Sequence, residues 1–176
     1  MEQIEESTIY TIGHSNHSIK KFIELLKKHN IEALIDARRV SATKMNRQFD
    51  KENLREELDK HGISYLHLQS LGGLRNPRGL YPKSRWRKPL FQGYAEHMES
   101  KEFEEGIQML QSIAMKNTTA YMCSEVLWWR CHRAMISDYL KAKGWKVQHI
   151  MGDGTLQEHS YTKPAKVIGD KINYSN

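Results

Sequence analysis

The sequence predicts a single α/β domain built on an open, mostly parallel sheet of about five strands, with helices on both faces. One observation behind this prediction is that short β-rich or apolar runs alternate with segments of helical periodicity. Strands separated by helices are typical of parallel sheets. A second observation is the length of 176 residues, which suits one domain with a substantial core.

Five short runs of β-branched and apolar residues predict the strands. Each run ends at a turn-forming residue or at a change to helical periodicity, as expected for the strands of an α/β sheet. Residues 152–176 show neither pattern and are predicted to be loop-like, with a short terminal element left open. In chain order the strands are predicted at 8–13, 32–37, 63–68, 118–123 and 145–150.

Apolar residues spaced three and four apart predict four helices that connect these strands. Ser18, Asp50 and Ser100 stand at the starts of three of the helices, in positions typical of N-caps. Gly62 and Gly144 stand where two helices are expected to end. The helices are predicted at 17–30, 50–62, 100–116 and 131–144.

The most reactive side chains follow the ends of the predicted strands. Because parallel strands have their carboxyl ends at one edge of a sheet, ligands of such folds bind in the crevice beyond those ends. We therefore expect these segments to converge on one ligand-binding rim. They are residues 13–16, 36–39, 71–73 and 123–125, with His149 near the end of the last strand.

The net charge of the chain is concentrated in one basic segment, residues 70–92. This segment holds six Lys and Arg residues and no Asp or Glu, and the formal net charge of the whole chain is +6. Tyr81, Trp86 and Phe91 are interleaved with the cations. The pattern is typical of a surface that binds DNA or RNA, with phosphates on the cations and bases on the rings. A solvated basic loop that binds nothing is the alternative interpretation.

Composition and motifs exclude several other classes of protein. No apolar run approaches the roughly 20 residues of a membrane span, so no membrane association is predicted. The acidic N-terminus has no hydrophobic signal region, so a cytoplasmic location is predicted. No cofactor is predicted, since dinucleotide and P-loop motifs are absent from the sequence. Cys123 and Cys131 are expected to be reduced thiols, and their spacing does not suit structural zinc. A metal site shared with nearby histidines and a redox disulfide, which requires closely apposed Cβ atoms, are left open as lesser alternatives. The oligomeric state is left open.

Six short motifs occur in a fixed order along the chain. They are TIGHS (11–15), DARR (36–39), a run at 62–73 that ends in LGG, CSE (123–125), CHR (131–133) and HI (149–150).

In this order the six motifs resemble the family catalogued as domain of unknown function 488. The resemblance spans roughly residues 8–168; it implies a single α/β domain with a parallel sheet and implies little about chemistry. After the DxR motif the family usually has Pro, Ser and Arg, whereas Ser41, Thr43 and Lys44 stand here, so that Lys44 keeps the positive charge.

The rim offers two kinds of catalytic group. Asp36 and Glu125 are carboxylates that can serve as general bases, with ion pairing to a nearby arginine as the structural alternative. Cys131 stands at a predicted helix start, where the helix dipole favours a thiolate, and is a candidate nucleophile. His132 beside it is a candidate acid or base. For both of these residues, a packed structural role is the alternative.

The candidates for binding extend from the rim into the basic segment. Short polar donors before the first helix resemble a phosphate cradle. Of the adjacent Trp128 and Trp129, one is expected in the core and one exposed near the site. The phosphate-binding candidates are His14, Ser15, Asn16, Arg38, Lys44, Arg75, Arg78, Arg85, Arg87 and Arg133, and the base-stacking candidates are Trp86, Trp128 and Trp129.

Three functions are compatible with these candidates. The favoured one is a nucleic-acid-binding enzyme that excises or modifies a base, because such enzymes place an extruded base in a pocket beside a carboxylate. The second is a non-catalytic module that binds nucleic acid or a phosphorylated ligand at the same rim. The third is a thiol-dependent enzyme acting on a small anionic metabolite, in which Cys131 should be alkylated rapidly at neutral pH.

Overall fold

The computed structural model describes residues 7–41, 45–80 and 83–175, and strands alternate with helices through most of them. The strands are β1 (Thr8–Gly13), β2 (Ala33–Asp36), β3 (Ser64–His67), β4 (Thr119–Cys123), β5 (Lys146–Ile150), β6 (Leu156–Glu158), β7 (Lys166–Ile168) and β8 (Lys171–Asn173). The helices are α1 (Ile19–Lys28), α2 (Lys51–Lys60), α3 (Pro89–His97), α4 (Lys101–Lys116) and α5 (Arg133–Ala142).

The central sheet has six strands in the order β3-β2-β4-β1-β5-β6. Its first five strands are parallel, and β6 pairs antiparallel with β5; β7 and β8 form a separate antiparallel pair. The open, mostly parallel sheet is therefore confirmed, with six strands instead of about five. After β1 the chain moves towards β2, and after β4 it moves the other way towards β5. The carboxyl ends of β1 and β4 thus flank the point where ligands bind in such sheets.

Helices cover both faces of the sheet, as predicted. Helices α1 and α2 bury their apolar stripes in one hydrophobic cluster, while α3, α4 and α5 contribute to a second cluster. No helix in the described residues is long and apolar enough to cross a membrane. Representative buried side chains are Phe22, Leu26, Leu54 and Leu58 in the first cluster and Tyr94, Phe103, Ile107, Met135 and Leu140 in the second.

Two of the predicted helix caps form as expected. The Ser18 hydroxyl accepts the backbone N–H of Lys21, and the Ser100 hydroxyl accepts that of Phe103, each at 3.1 Å. Each bond satisfies one of the free N–H groups that a helix start exposes. These caps fix where α1 and α4 begin.

Two segments predicted as loops contain regular structure. Helix α3 begins at Pro89, inside the basic segment, where proline suits the first helical position. Gly93 interrupts the pattern by which a helix is predicted from the sequence. Glycine is nevertheless required at this position, because a Cβ there would clash with the carbonyl of Arg75. The C-terminal segment contains β6, β7 and β8, which are three residues long each and mostly exposed, so they lack the alternating apolar pattern of a strand.

Candidate active site

A cleft of about 600 Å³ opens beside the carboxyl ends of β2 and β4. It is lined by both cysteines of the chain, by several cations and by a group of apolar residues. Its polar lining comprises Arg38, Arg39, Lys88, Cys123, Ser124, Glu125, Arg130, Cys131 and His132, and its apolar wall comprises Val40, Leu74, Pro89, Leu90 and Phe91, with Gly73 between them.

The segments after β1 and β4 are joined by backbone hydrogen bonds. The N–H of His14 donates to the carbonyl of Cys123 at 3.0 Å, and the N–H of Ser15 donates to that of Ser124 at 2.8 Å. Only glycine fits at position 13, since a Cβ there would clash with the carbonyl oxygen of Glu125. The segments that follow β1, β2, β3 and β4 thus lie together at one edge of the sheet, as the topology predicted.

The two cysteines form a reduced thiol pair. Cys123 ends β4, and Cys131 follows a 3-10 turn at Trp128–Arg130 that folds the chain back over the strand end. Their Sγ atoms are 2.8 Å apart, and both are free thiols. Cys131 also accepts the backbone N–H of Arg133 at 3.4 Å. The pair is therefore placed for one thiol to donate a hydrogen bond to the other as a thiolate.

The electrostatics of the pair favour a thiolate on Cys123. Burial raises the pKa of this thiol, but the hydrogen bond from Cys131 and the charge of Arg133 outweigh burial and bring the pKa to about 7. Burial raises the pKa of Cys131 well above its usual value, and the neighbouring Cys123 raises it further. The pair thus ionises in two separated steps, and the first step, on Cys123, has its midpoint near neutral pH.

Arg133 supplies the positive charge next to this pair. Its side chain is only 1 % exposed, and Nη2 donates to the carbonyls of Glu125 at 3.0 Å and Val126 at 2.9 Å. Its Nε and Nη1 atoms have no hydrogen-bond partner among the described residues. A buried cation whose donors are incompletely satisfied is stabilised by a nearby anion, and the thiolate of the pair is such an anion.

His132 presents a neutral imidazole to the cleft. Its Nε2 donates to the carbonyl of Ala37 at 2.8 Å, so the unprotonated nitrogen is Nδ1. Burial lowers the pKa of His132 to about 4, which keeps the ring neutral at neutral pH. A Cβ on Gly73 would lie 2.7 Å from Nδ1, so glycine at this position leaves space next to that nitrogen. His132 can therefore accept a hydrogen bond in the cleft.

Asp36 forms the ion pair with an arginine that the sequence left open as its alternative. It is fully buried, and its oxygens accept from Arg38 Nε at 2.9 Å, Arg38 Nη2 at 2.8 Å and the Tyr65 hydroxyl at 2.5 Å. Arg38 also donates to the carbonyl of Phe49 at 2.7 Å. Arg38 lines the cleft, whereas Asp36 lies behind it. This geometry favours an ion pair that holds the rim over general-base chemistry by Asp36.

The predicted phosphate cradle after β1 lies outside the cleft lining. His14 is buried; its Nδ1 donates to the carbonyl of Ser15 at 2.8 Å, and its ring stacks on Phe49. Burial lowers the pKa of His14 to about 4, so it carries no charge for a phosphate at neutral pH. Asn16 is exposed, and phosphate binding by this segment stays a prediction. Lys44, the remaining cation predicted near here, lies outside the described residues.

The cations of the basic segment divide into two groups. Arg75 donates to the carbonyls of Gly72 and Gln69 and lies 3.6 Å from the Glu102 carboxylate, so it anchors the loop. The other group is exposed, and within the described part of the chain no member lies within ion-pair distance of a carboxylate. This group, the exposed cations, comprises Arg78, Lys83, Arg85, Arg87 and Lys88.

Of the three tryptophan candidates, Trp129 presents the most ring surface to solvent, with 47 % of its surface exposed. Trp128 is buried, and its ring stacks on His149 at 4.5 Å between ring centres. One core and one exposed tryptophan were expected, and the structure has this division. Trp86 packs against Phe91 and Tyr174 at the edge of the core.

His149 belongs to a buried network and does not line the cleft. Its Nδ1 bonds with the Thr11 hydroxyl at 2.5 Å, and its Nε2 with His159 Nδ1 at 2.9 Å. His159 Nε2 in turn lies 2.8 Å from Asp138. The network fastens β5 to the C-terminal segment, so its role is structural.

Sequence reasoning gave no individual role to Arg39, Gly73, Lys88 or Arg130, although Arg39 and Gly73 stand in the predicted rim segments and Lys88 stands in the basic segment. It also did not identify Cys123 as the thiolate of the pair. Arg39 directly follows Arg38, and Arg130 directly precedes Cys131. Proximity in sequence to assigned residues was therefore the available signal. The position of Lys88 depends on α3, which was not predicted.

Comparison with protein families gives a single result. The model of the family described as Domain of unknown function DUF488 matches residues 18–140, well over half of the 176 residues. No curated protein and no solved structure is significantly similar to the chain. The matched range includes β2, the basic segment and both cysteines of the cleft. The chain belongs to the DUF488 family.

Proposed function

We propose that the protein is an enzyme that uses Cys123 as a nucleophile on an anionic substrate bound in the cleft. The observation that carries this proposal is the thiol pair, whose sulfurs are 2.8 Å apart in a cleft that also holds several cations. The proposal corresponds to the third function expected from the sequence, with Cys123 instead of Cys131 as the attacking sulfur. Reduced thiols of this kind fit the predicted cytoplasmic location.

The state of Cys123 suits nucleophilic chemistry at neutral pH. An attacking thiol is most effective when its pKa is close to the ambient pH, because a lower pKa weakens the nucleophile and a higher one leaves it protonated. The pKa of Cys123 is about 7, since the hydrogen bond from Cys131 and the charge of Arg133 outweigh the effect of burial. The thiolate is therefore both populated and reactive at neutral pH.

The lining of the cleft favours an anionic substrate. Arg39, Lys88 and Arg130 are exposed and line the cleft, while Glu125 is the only carboxylate among the described lining residues. Leu90 and other apolar side chains also line the cleft and can contact an apolar part of the substrate. A volume of about 600 Å³ is within the range of small-molecule sites.

Alkylation kinetics test this proposal. Iodoacetamide is neutral and iodoacetate is its anionic counterpart, so the ratio of their rates reports the charge of the site. We expect the rates to rise through about pH 7 and to be lost in Cys123→Ser. We also expect the ratio of the iodoacetate rate to the iodoacetamide rate to exceed that for free cysteine and to fall with added salt.

Matched arginine variants show whether the effect comes from the cleft. Arg130→Ala should lower the rate ratio, because this side chain lines the cleft, whereas Arg87→Ala should leave the ratio unchanged. If Cys123 reacts no faster than an ordinary thiol at pH 7, or if the rate ratio equals that of free cysteine, the proposal is wrong.

A second candidate function is supported by the exposed cations, of which Lys88 lines the cleft. In this proposal a nucleic acid lies along these cations, as the sequence favoured, and one base enters the cleft. Trp129 offers an exposed ring for stacking. Of the two predicted carboxylates, Glu125 lines the cleft and is the acid–base candidate that remains available.

Binding to labelled DNA and RNA over a salt series tests the second candidate. Fluorescence polarisation should show a log K versus log salt slope of several units, reduced in a variant with Arg78, Arg85 and Arg87 changed to alanine. A control variant with Lys20, Lys21 and Lys27 changed to alanine removes the same charge from the exposed surface of α1 and should keep the slope. Absence of binding at about 50 mM salt would exclude a nucleic-acid function.

A further inference from the structure

The position of Cys131 goes beyond what a single nucleophile requires. Its Sγ lies 2.8 Å from that of Cys123, and both sulfurs line the same cleft. A disulfide bond has a length of about 2.0 Å, so the two sulfurs are less than one ångström from bonding distance. Cys131 is also partly exposed, whereas Cys123 is only 2 % exposed. A second thiol in this position can release a group bound to the first.

We propose that the protein catalyses thiol–disulfide exchange with small anionic disulfides, in which Cys123 attacks and Cys131 resolves. The inference rests on the proposed function, because it takes Cys123 as the nucleophile and the cationic cleft as the binding site. It adds the reaction class, the substrate class and the role of Cys131.

The reaction has two balanced steps. In the first step, the Cys123 thiolate attacks one sulfur of the substrate disulfide; its S–S bond breaks, a mixed disulfide forms on Cys123, and the first thiolate leaves. In the second step, Cys131 loses its proton to solvent and attacks the Cys123 sulfur, which releases the second thiolate. The substrate is reduced to two thiolates, and the two cysteines are oxidised to a disulfide. A dithiol reductant then restores the thiols.

After the first step, the charges around Cys131 become more favourable to its ionisation, which the second step requires. Burial opposes ionisation of Cys131 throughout, and while Cys123 is a thiolate its negative charge opposes that ionisation further. Once Cys123 carries the mixed disulfide, this repulsion is gone. The N–H of Arg133 at 3.4 Å and the positive start of α5 then stabilise a thiolate on Cys131 instead. The first step therefore activates the thiol that performs the second.

The cations of the cleft explain why the disulfide should be anionic. Arg39, Lys88 and Arg130 line the approach to the two sulfurs. Carboxylates on the substrate can bind these cations, while the apolar wall with Leu90 and Phe91 contacts its carbon skeleton. A disulfide of two small acidic thiols matches this combination.

The test uses the anionic disulfide 5,5′-dithiobis(2-nitrobenzoate), whose coloured thiolate can be counted. The folded wild-type protein should release both thiolates from one reagent molecule, retain no reagent, and lose two hydrogens in intact mass. Cys131→Ser should release one thiolate and keep the other half of the reagent on Cys123. Cys131→Ala provides a second variant of the same kind, and circular dichroism verifies that the variants are folded.

The outcomes separate this inference from the proposed function. If the coloured thiolate is released at the rate of an ordinary thiol, and this rate is unchanged in Cys123→Ser, then Cys123 is not the nucleophile and both proposals are wrong. Fast release with one half of the reagent retained on each cysteine would leave the nucleophile in place and overturn the role of Cys131. Release by wild type at least tenfold faster than by Cys123→Ser, with the disulfide formed between Cys123 and Cys131, is the expected result.

Discussion

Replacing Asp36 with alanine should lower the free energy of unfolding by about 3–5 kcal/mol. The reason is that the variant leaves the buried Arg38 guanidinium, only 5 % exposed, without its anionic partner. The same change removes the acceptor of the Tyr65 hydroxyl. Urea denaturation of wild type and variant at about pH 7 measures the effect directly.

Two milder variants serve as controls for this effect. Tyr65→Phe keeps the ion pair and loses one hydrogen bond to Asp36, so we expect a loss of about 1–2 kcal/mol. Asp36→Asn keeps the shape and removes the charge, and it should fall between the other two variants. An Asp36→Ala variant no less stable than Tyr65→Phe would contradict the ion pair. An Asp36→Asn variant of full stability that lost turnover would make Asp36 a catalytic residue after all.

The arrangement of the rim could be predicted from the sequence because it depends on few physical facts. Parallel strands align their carboxyl ends, so residues that directly follow strands must meet at one edge. Asp36 and Glu125 were placed at this edge by their position after strands, and the structure puts both of them there. The sequence left open whether such a carboxylate is paired, because pairing depends on where a side chain points.

Contacts that depend on irregular backbone could not be predicted. The distance between Cys123 and Cys131 is set by the 3-10 turn at Trp128–Arg130, which has no periodic pattern. The division of the cations of the basic segment into Arg75 and the exposed cations also depends on irregular backbone. Arg75 and Arg87 look alike in the sequence, but among the residues that the structure describes only Arg75 donates to loop carbonyls. Such roles follow from the fold around a residue and not from its neighbours in the chain.

Replacing Arg133 with methionine should raise the pKa of the Cys123 thiol and slow its alkylation at pH 7. In the wild-type protein burial opposes ionisation, and the hydrogen bond from Cys131 and the charge of Arg133 overcome it. Without that charge the thiolate fraction falls about tenfold for each unit by which the pKa lies above the ambient pH. The measurement is the alkylation rate by iodoacetamide as a function of pH, which gives the midpoint of ionisation.

The pH profile distinguishes this electrostatic role from a loss of structure. At about pH 10 the thiol ionises more fully in both proteins, so the variant's rate should approach that of wild type, whereas a collapsed site stays slow. Arg133→Lys keeps the charge and should return the midpoint of ionisation most of the way to its wild-type value. Arg130→Met serves as the exposed control and should leave the midpoint close to about 7. An unchanged midpoint in Arg133→Met would mean that Cys131 alone stabilises the thiolate, and the guanidinium would then serve only to hold the carbonyls of Glu125 and Val126.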